Sequence, residues 1–177
     1  SEKIKKTAQV YPFRLNRYFY SLIQTKKDPV WIQSVPDAKE LISKSGCPDP
    51  FFEDGFLSPV PNLVHRYNNR VILLVSDRCS VYCRHCMRKR RVGINEETFF
   101  DSFPDILKYI KDHKEIDDII LSGGDPFLLD DEKIGFIIEK IRNVKKDSII
   151  RIHTRTLSTI PQRITSRLCT ILKKHSP

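Results

Sequence analysis

From Val71 onward the chain repeats one pattern three times: a short apolar run, a loop, then a helical stripe of isoleucine and leucine. The apolar runs are 71–76, 119–121 and 149–152. The first helix is expected near Pro104, with Ser102 as its cap, burying Ile106, Leu107 and Ile110. The second is expected to be capped by Asp130 or Asp131. It shows Ile134, Ile137, Ile138 and Ile141 at the i, i+3, i+4, i+7 spacing of one helix face. The third begins near Thr165 and carries Leu168 and Leu172. Continuous apolar strands alternating with amphipathic helices predict an α/β fold, with a parallel sheet and right-handed crossovers. In such sheets the chemistry gathers beyond the C-terminal ends of the strands. The loops after the three strands hold the cysteines, the pair Gly123-Gly124, and His153-Thr154-Arg155. All three are therefore expected on one rim.

The loop after the first strand is Cys-Ser-Val-Tyr-Cys-Arg-His-Cys, with Cys79, Cys83 and Cys86 at C-x3-C-x2-C spacing. Three thiolates on one short loop suit an iron–sulfur cluster. A cubane has four irons, so three ligands leave one iron open to a substrate or cofactor. A structural zinc site prefers four ligands, usually as two separated pairs. His85 lies between two of the cysteines, where one ion could hardly take all three side chains. Cys47 and Cys169 stand alone. Zinc or a disulfide therefore ranks below the cluster. Thiols held for a cluster imply a reducing, cytoplasmic setting.

Residues 1–65 differ in kind. They hold seven of the eleven prolines, with helical patches expected at 15–23 and 37–43. They read as an extension wrapping a core at 66–177. The N-terminus is charged, no apolar segment follows it, and no run is long enough to span a bilayer. Net charge is +9, from 31 Lys plus Arg against 22 Asp plus Glu. The densest basic patch is Arg84, Arg88, Lys89, Arg90 and Arg91, on the cysteine loop itself. A basic balance can serve nucleic acid or an anionic small molecule. No zinc-ribbon, helix-turn-helix or RNA-binding signature surrounds the patch, so nucleic acid is not the expected partner. A solvated face is the plain alternative for part of it.

The cysteine loop, its leading strand and its basic tail resemble the radical S-adenosylmethionine (SAM) superfamily, and within it the lysine 2,3-aminomutase family. Tyr11-Pro-Phe-Arg-Leu-Asn, Ser58-Pro-Val-Pro-Asn-Leu-Val-His-Arg-Tyr, Ser122-Gly-Gly-Asp-Pro and Ile160-Pro-Gln-Arg-Ile-Thr resemble family segments in the family order. The resemblance implies the first half of a partial (β/α)6 barrel with a helical and irregular N-terminal extension. Three βα units stand where that barrel has six, so the chain is expected to be truncated. It also implies that Cys79, Cys83 and Cys86 hold a [4Fe–4S] cluster whose open iron chelates SAM.

By the same resemblance Gly123, Gly124 and Asp125 contact the SAM amino group, the glycines giving close approach and bare amides. Outside this context such a run is an ordinary turn. Arg66 and Arg70, beside Tyr67, match arginines near the phosphate of pyridoxal 5′-phosphate (PLP); the plain alternative is surface arginines. Arg88 matches the arginine that binds the substrate carboxylate, and could equally cover the cluster loop. His85 is a further cofactor contact or simply packs. His153 and Arg155 sit on the rim without an assigned role. The family's PLP lysine and its two substrate aspartates have no matching position.

The implied activity is that of an isomerase, a SAM- and PLP-dependent amino-acid 2,3-aminomutase turning L-lysine into β-lysine. The relative that makes (R)-β-lysine for elongation factor P, and glutamate 2,3-aminomutase, share the visible motifs. A basic metal-binding nucleic-acid module is the rival from another class. Expected partners are a small amino acid, a flavodoxin- or ferredoxin-type electron donor, no membrane, and further copies of the full-length chain. The 177 residues alone are expected to be inactive.

Overall fold

The apolar runs build one four-stranded mixed sheet, whose strands lie in chain order. They are β1 (Leu63–Tyr67), β2 (Arg70–Ser76), β3 (Asp118–Gly123) and β4 (Ile149–Ile152). The computed structural model describes residues 2–42, 46–94 and 98–175. β2, β3 and β4 run parallel, as expected. β1 was not foreseen: it pairs antiparallel with β2 through the turn at Asn68-Asn69. Short polar asparagines suit such a turn. The boundary expected between residues 65 and 66 falls inside β1, which belongs to the sheet.

Alternate residues of the strands face the helices. Val71, Leu73 and Val75 of β2 and Ile119 and Leu121 of β3 are buried in one apolar cluster. Ile150 and Ile152 of β4 pack against it. The helical partners are α5 (Phe99–Asp112), α6 (Asp131–Val144) and α8 (Ser166–His175). The isoleucine stripe of α6 is buried as the spacing predicts. Each fully buried Ile or Leu contributes about 1.5–3 kcal/mol relative to exposure.

α5 corrects the expected start near Pro104. It begins five residues earlier in the described chain, at Phe99, with Pro104 inside it. Phe99 and Phe103 extend the stripe of Ile106 and Ile110 toward the N-terminus, and their burial outweighs the bond Pro104 cannot make. Ser102 is accordingly not a cap. Its hydroxyl donates to the Phe99 carbonyl and accepts from Asn62 Nδ2. Asp130 occupies the N-cap position of α6 but makes no side-chain cap bond. Thr165 does cap α8, accepting from the Leu168 amide. A short helix, α7 (Thr156–Thr159), intervenes after β4.

The extension forms four short helices: α1 (Glu2–Val10), α2 (Arg17–Ser21), α3 (Pro29–Ser34) and α4 (Lys39–Ile42). α2 and α4 lie within the two expected patches; Ser43, the last residue of the second patch, lies outside the described residues. α3 starts on a cap followed by proline: Asp28 accepts from the Trp31 amide and Pro29 takes the first helical position. Asn16 caps α2 through the Phe19 amide, while its Nδ2 donates to the Thr159 carbonyl. That bond joins the start of the chain to its far end. Among the described residues no helix is long and apolar enough to cross a membrane.

Candidate functional site

The cysteine loop leaves β2 and is held from outside by the extension. The Tyr82 amide donates to the Arg14 carbonyl at 3.0 Å, and the Arg84 amide to the Gln33 carbonyl at 2.8 Å. Within the loop the Cys86 amide donates to the Cys83 carbonyl. All three thiols are half-buried, whereas Cys47 and Cys169 are exposed. Burial pushes the Cys79 thiol well above its ordinary value; the charges of Asp125, Cys86 and Cys83 add to this, and Arg155 opposes it. Burial also raises Cys86. Thiols held up in this way release protons when a cation shares the site. Among the described residues no three His, Cys, Asp or Glu side chains converge as the shell of a single ion. A cubane takes one thiolate at each of several irons, so its ligands stand apart around a larger body. The donor set and its half-buried mouth fit that group.

The glycine loop after β3 lies against the start of the cysteine loop. Gly123 has φ +102°, and a Cβ there would stand 2.5 Å from the Ser76 carbonyl oxygen. A Cβ on Gly124 would run into the Arg78 backbone, one residue before Cys79. Of the two glycine amides expected to be bare, that of Gly124 is taken, donating to the Ser76 carbonyl at 2.5 Å, and the next amide, of Asp125, donates to the Arg78 carbonyl at 2.6 Å. The glycines thus let two backbones meet, which the sequence reading assigned to a ligand. Asp125 is also committed within the protein. Its buried carboxylate accepts from Thr154 Oγ1 at 2.6 Å, the Arg155 amide at 2.8 Å and the Phe127 amide at 3.1 Å. Arg155 Nη1 in turn contacts Cys83 Sγ, and Nη2 donates to Gln33 Oε1 at 2.5 Å. The three loops therefore meet on one rim.

Asp77, between the strand and Cys79, was not singled out by its sequence. Both its carboxylate oxygens are buried and have no hydrogen-bond partner among the described residues. It lines a cavity of about 80 Å3 together with Ser76, Arg88, Gly123 and Gly124. An orphaned carboxylate there suits a small cationic group.

The basic run is paired within the chain. Arg84 and Lys89 bind Glu40, Arg88 binds Glu53, Arg90 binds Asp49 and Asp54, and Arg91 binds Asp54. Burial works against the charge of Glu40, yet the bonds from Arg84, the Asp37 amide and Lys89 hold its carboxyl down at about 2. All five cations thus meet carboxylates of the extension, and the pairs on Asp54 stay open to solvent, as a solvated face for part of the patch implies. Arg88 binds the most deeply buried of these carboxylates. Its Nε and Nη2 fork onto Glu53 at 2.7–3.2 Å, and Glu53 is 2% exposed.

A second cavity, of about 230 Å3, brings Arg66, Arg70 and Arg88 together, with Phe51, Glu53 and Tyr67 in its wall. Arg70 is steadied by Asp118, to which Nε donates at 2.6 Å. Arg88 lines both cavities. Ser76 and Arg70 end a seven-residue strand, so the two groups of predicted residues lie roughly 20 Å apart along it. His85 is exposed in an open hollow with Pro29, Ile32 and Gln33. Glu53, Gln33 and Asp77 escaped sequence reasoning because their roles arise from pairing or burial, which no local spacing encodes.

Residues 73–175 match the sequence model of the radical SAM superfamily. The chain belongs to this superfamily. Its radical SAM region contains the cysteine loop, the glycine loop and the rim around Arg155. Over its whole length the chain is 40% identical to the L-lysine 2,3-aminomutase of Fusobacterium nucleatum, of which it covers 42%. It is 42% identical to that of Methanococcus maripaludis over 99% of its length, covering 41% of that protein. It is 32% identical to the glutamate 2,3-aminomutase of Clostridioides difficile over 99% of its length, covering 42% of it. The chain therefore spans about two fifths of the length of these relatives.

Proposed function

We propose that this radical SAM chain serves an amino-acid 2,3-aminomutase, acting on L-lysine, with a [4Fe–4S] cluster, SAM and PLP. The observation that carries the reading is the meeting of the cysteine, glycine and Arg155 loops on one rim above the arginine cavity. When bound, the cluster and SAM would supply a hydrogen-abstracting radical, and PLP would hold the migrating amino group. Cys79, Cys83 and Cys86 offer three thiolates and leave room for one further ligand. Asp77 offers a negative charge to the amino or sulfonium group of SAM. Arg66 and Arg70 suit a phosphate, through charge-assisted bonds at the cavity wall. Arg88 keeps Nη1 for a substrate carboxylate, its other edge being fixed by Glu53.

Identity of 38–42% to most of the lysine aminomutases, against 32% to the glutamate enzyme and 31% to one further lysine enzyme, supports lysine as substrate. The electron donor in this reading is a small flavodoxin- or ferredoxin-type protein. The 177 residues alone are proposed to give at most uncoupled SAM cleavage, without turnover to β-lysine. The test is anaerobic reconstitution with iron and sulfide, then SAM, PLP, lysine and dithionite. Iron, 5′-deoxyadenosine and β-lysine are measured for this chain and for a longer protein that contains it. The expected result is a cubane and 5′-deoxyadenosine in both, with β-lysine only from the longer protein. A chain that takes up zinc in preference to iron, or forms a cluster indifferent to SAM, would refute the reading.

A further inference from the structure

Among the described residues, Arg155 reaches the sulfur of Cys83 from another loop. It stands just past β4, and Cys83 lies 72 positions earlier. Its guanidinium is gripped at two points, by Cys83 Sγ through Nη1 and by Gln33 Oε1 through Nη2. Its backbone is fixed as well, because its amide donates to Asp125 Oδ2 at 2.8 Å. Thr154 Oγ1 donates to the other oxygen of the same carboxylate at 2.6 Å. Asp125 is buried and cannot turn away to solvent. A cation held by both side chain and backbone, on a half-buried sulfur, is more than a surface contact. The cation also comes from the C-terminal side of the sheet, while Gln33 comes from the extension. Each end of the chain thus helps aim it.

We infer that Arg155 is a positioning residue that sets the reduction potential of the cluster held by Cys79, Cys83 and Cys86, by placing its charge and an N–H donor on the Cys83 sulfur. The inference rests on the cluster reading above. Reduction adds one electron, so the reduced cluster carries one more negative charge than the oxidised one. A fixed cation beside a ligand sulfur stabilises the more negative state. Hydrogen bonds to sulfur and local charge are recognised determinants of such potentials. Arg155 therefore raises the potential and eases electron entry. Gln33 contributes by holding Nη2, and Asp125 by fixing the backbone from which the side chain extends.

The test is a mediated dithionite titration of the reconstituted chain, followed by paramagnetic resonance, with iron and sulfide counted in the same samples. Arg155→Met should keep its iron and shift the midpoint to more negative values. The expected size is about a tenfold drop in the reduced-to-oxidised ratio at fixed poise, or about 59 mV for one electron. Arg155→Lys keeps the charge but loses the fork, and should fall between the two. An unchanged midpoint in Arg155→Met with full iron content overturns the inference while leaving the cluster in place. Should Arg155→Met fail to retain iron, Arg155→Lys decides: a lowered midpoint supports the inference and an unchanged one overturns it. A parent chain that binds no iron overturns the cluster reading itself, and this inference with it.

Discussion

At the scale of single residues, the site is defined by which atoms already have partners. Cys79, Cys83 and Cys86 are half-buried on one loop, while Cys47 and Cys169 are exposed elsewhere. Replacing any of the first three by Ala should abolish iron uptake in an anaerobic iron and sulfide assay; replacing either of the others should not. Asp77 has the opposite character, a buried carboxylate with no hydrogen-bond partner among the described residues. Asp77→Asn should weaken SAM binding at least tenfold in equilibrium dialysis while iron content stays at the parent level. That fold-change is about 1.4 kcal/mol, a modest value for the loss of one charge-assisted contact. Gly124→Ala should behave differently. A Cβ there meets the Arg78 backbone beside Cys79, so iron and SAM should be lost together.

Elements act by bringing such residues together. α6 lies against the sheet through Ile137, which is fully buried. Ile137→Ala should cost about 2–5 kcal/mol in urea unfolding, the usual range for emptying such a position. α4 does different work: Glu40 on it holds Arg84 and Lys89 of the cysteine loop. Its carboxyl titrates at about 2, below the ordinary 4.5. The support is thus complete above about pH 4.5 and is lost as pH falls through 2. Glu40→Gln should remove that part of the acid dependence, and only a small part, since the carboxyl is partly buried and its bonds are partly screened by solvent. The βα units and the cysteine spacing were legible because their signals repeat within a few residues. β1 and the early start of α5 were not, because both depend on partners elsewhere: β2 for the first, buried phenylalanines for the second. The site divides the same way. Cys79, Cys83 and Cys86 announce themselves by spacing, but the Arg88–Glu53 pair spans 35 positions and the Asn16–Thr159 bond 143.

At the scale of the whole molecule, the extension and the sheet enclose the cysteine loop between them. Carboxylates at Glu40, Asp49, Glu53 and Asp54 meet all five cations of the run from Arg84 to Arg91. A chain lacking residues 1–60 leaves those cations without counter-charges. It should retain less iron than the parent after reconstitution and gel filtration, even though Cys79, Cys83 and Cys86 are all present. The amides of Tyr82 and Arg84, bonded to Arg14 and Gln33, should be protected from hydrogen exchange in the parent and not in the shortened chain. The same bonds bear on the order of assembly. In a zinc finger the metal arrives first and its binding energy folds the chain around it. Here the loop takes its shape from its own neighbours. Those bonds offset part of the conformational entropy of ordering the loop, and so leave more of the thiolates' affinity for the metal.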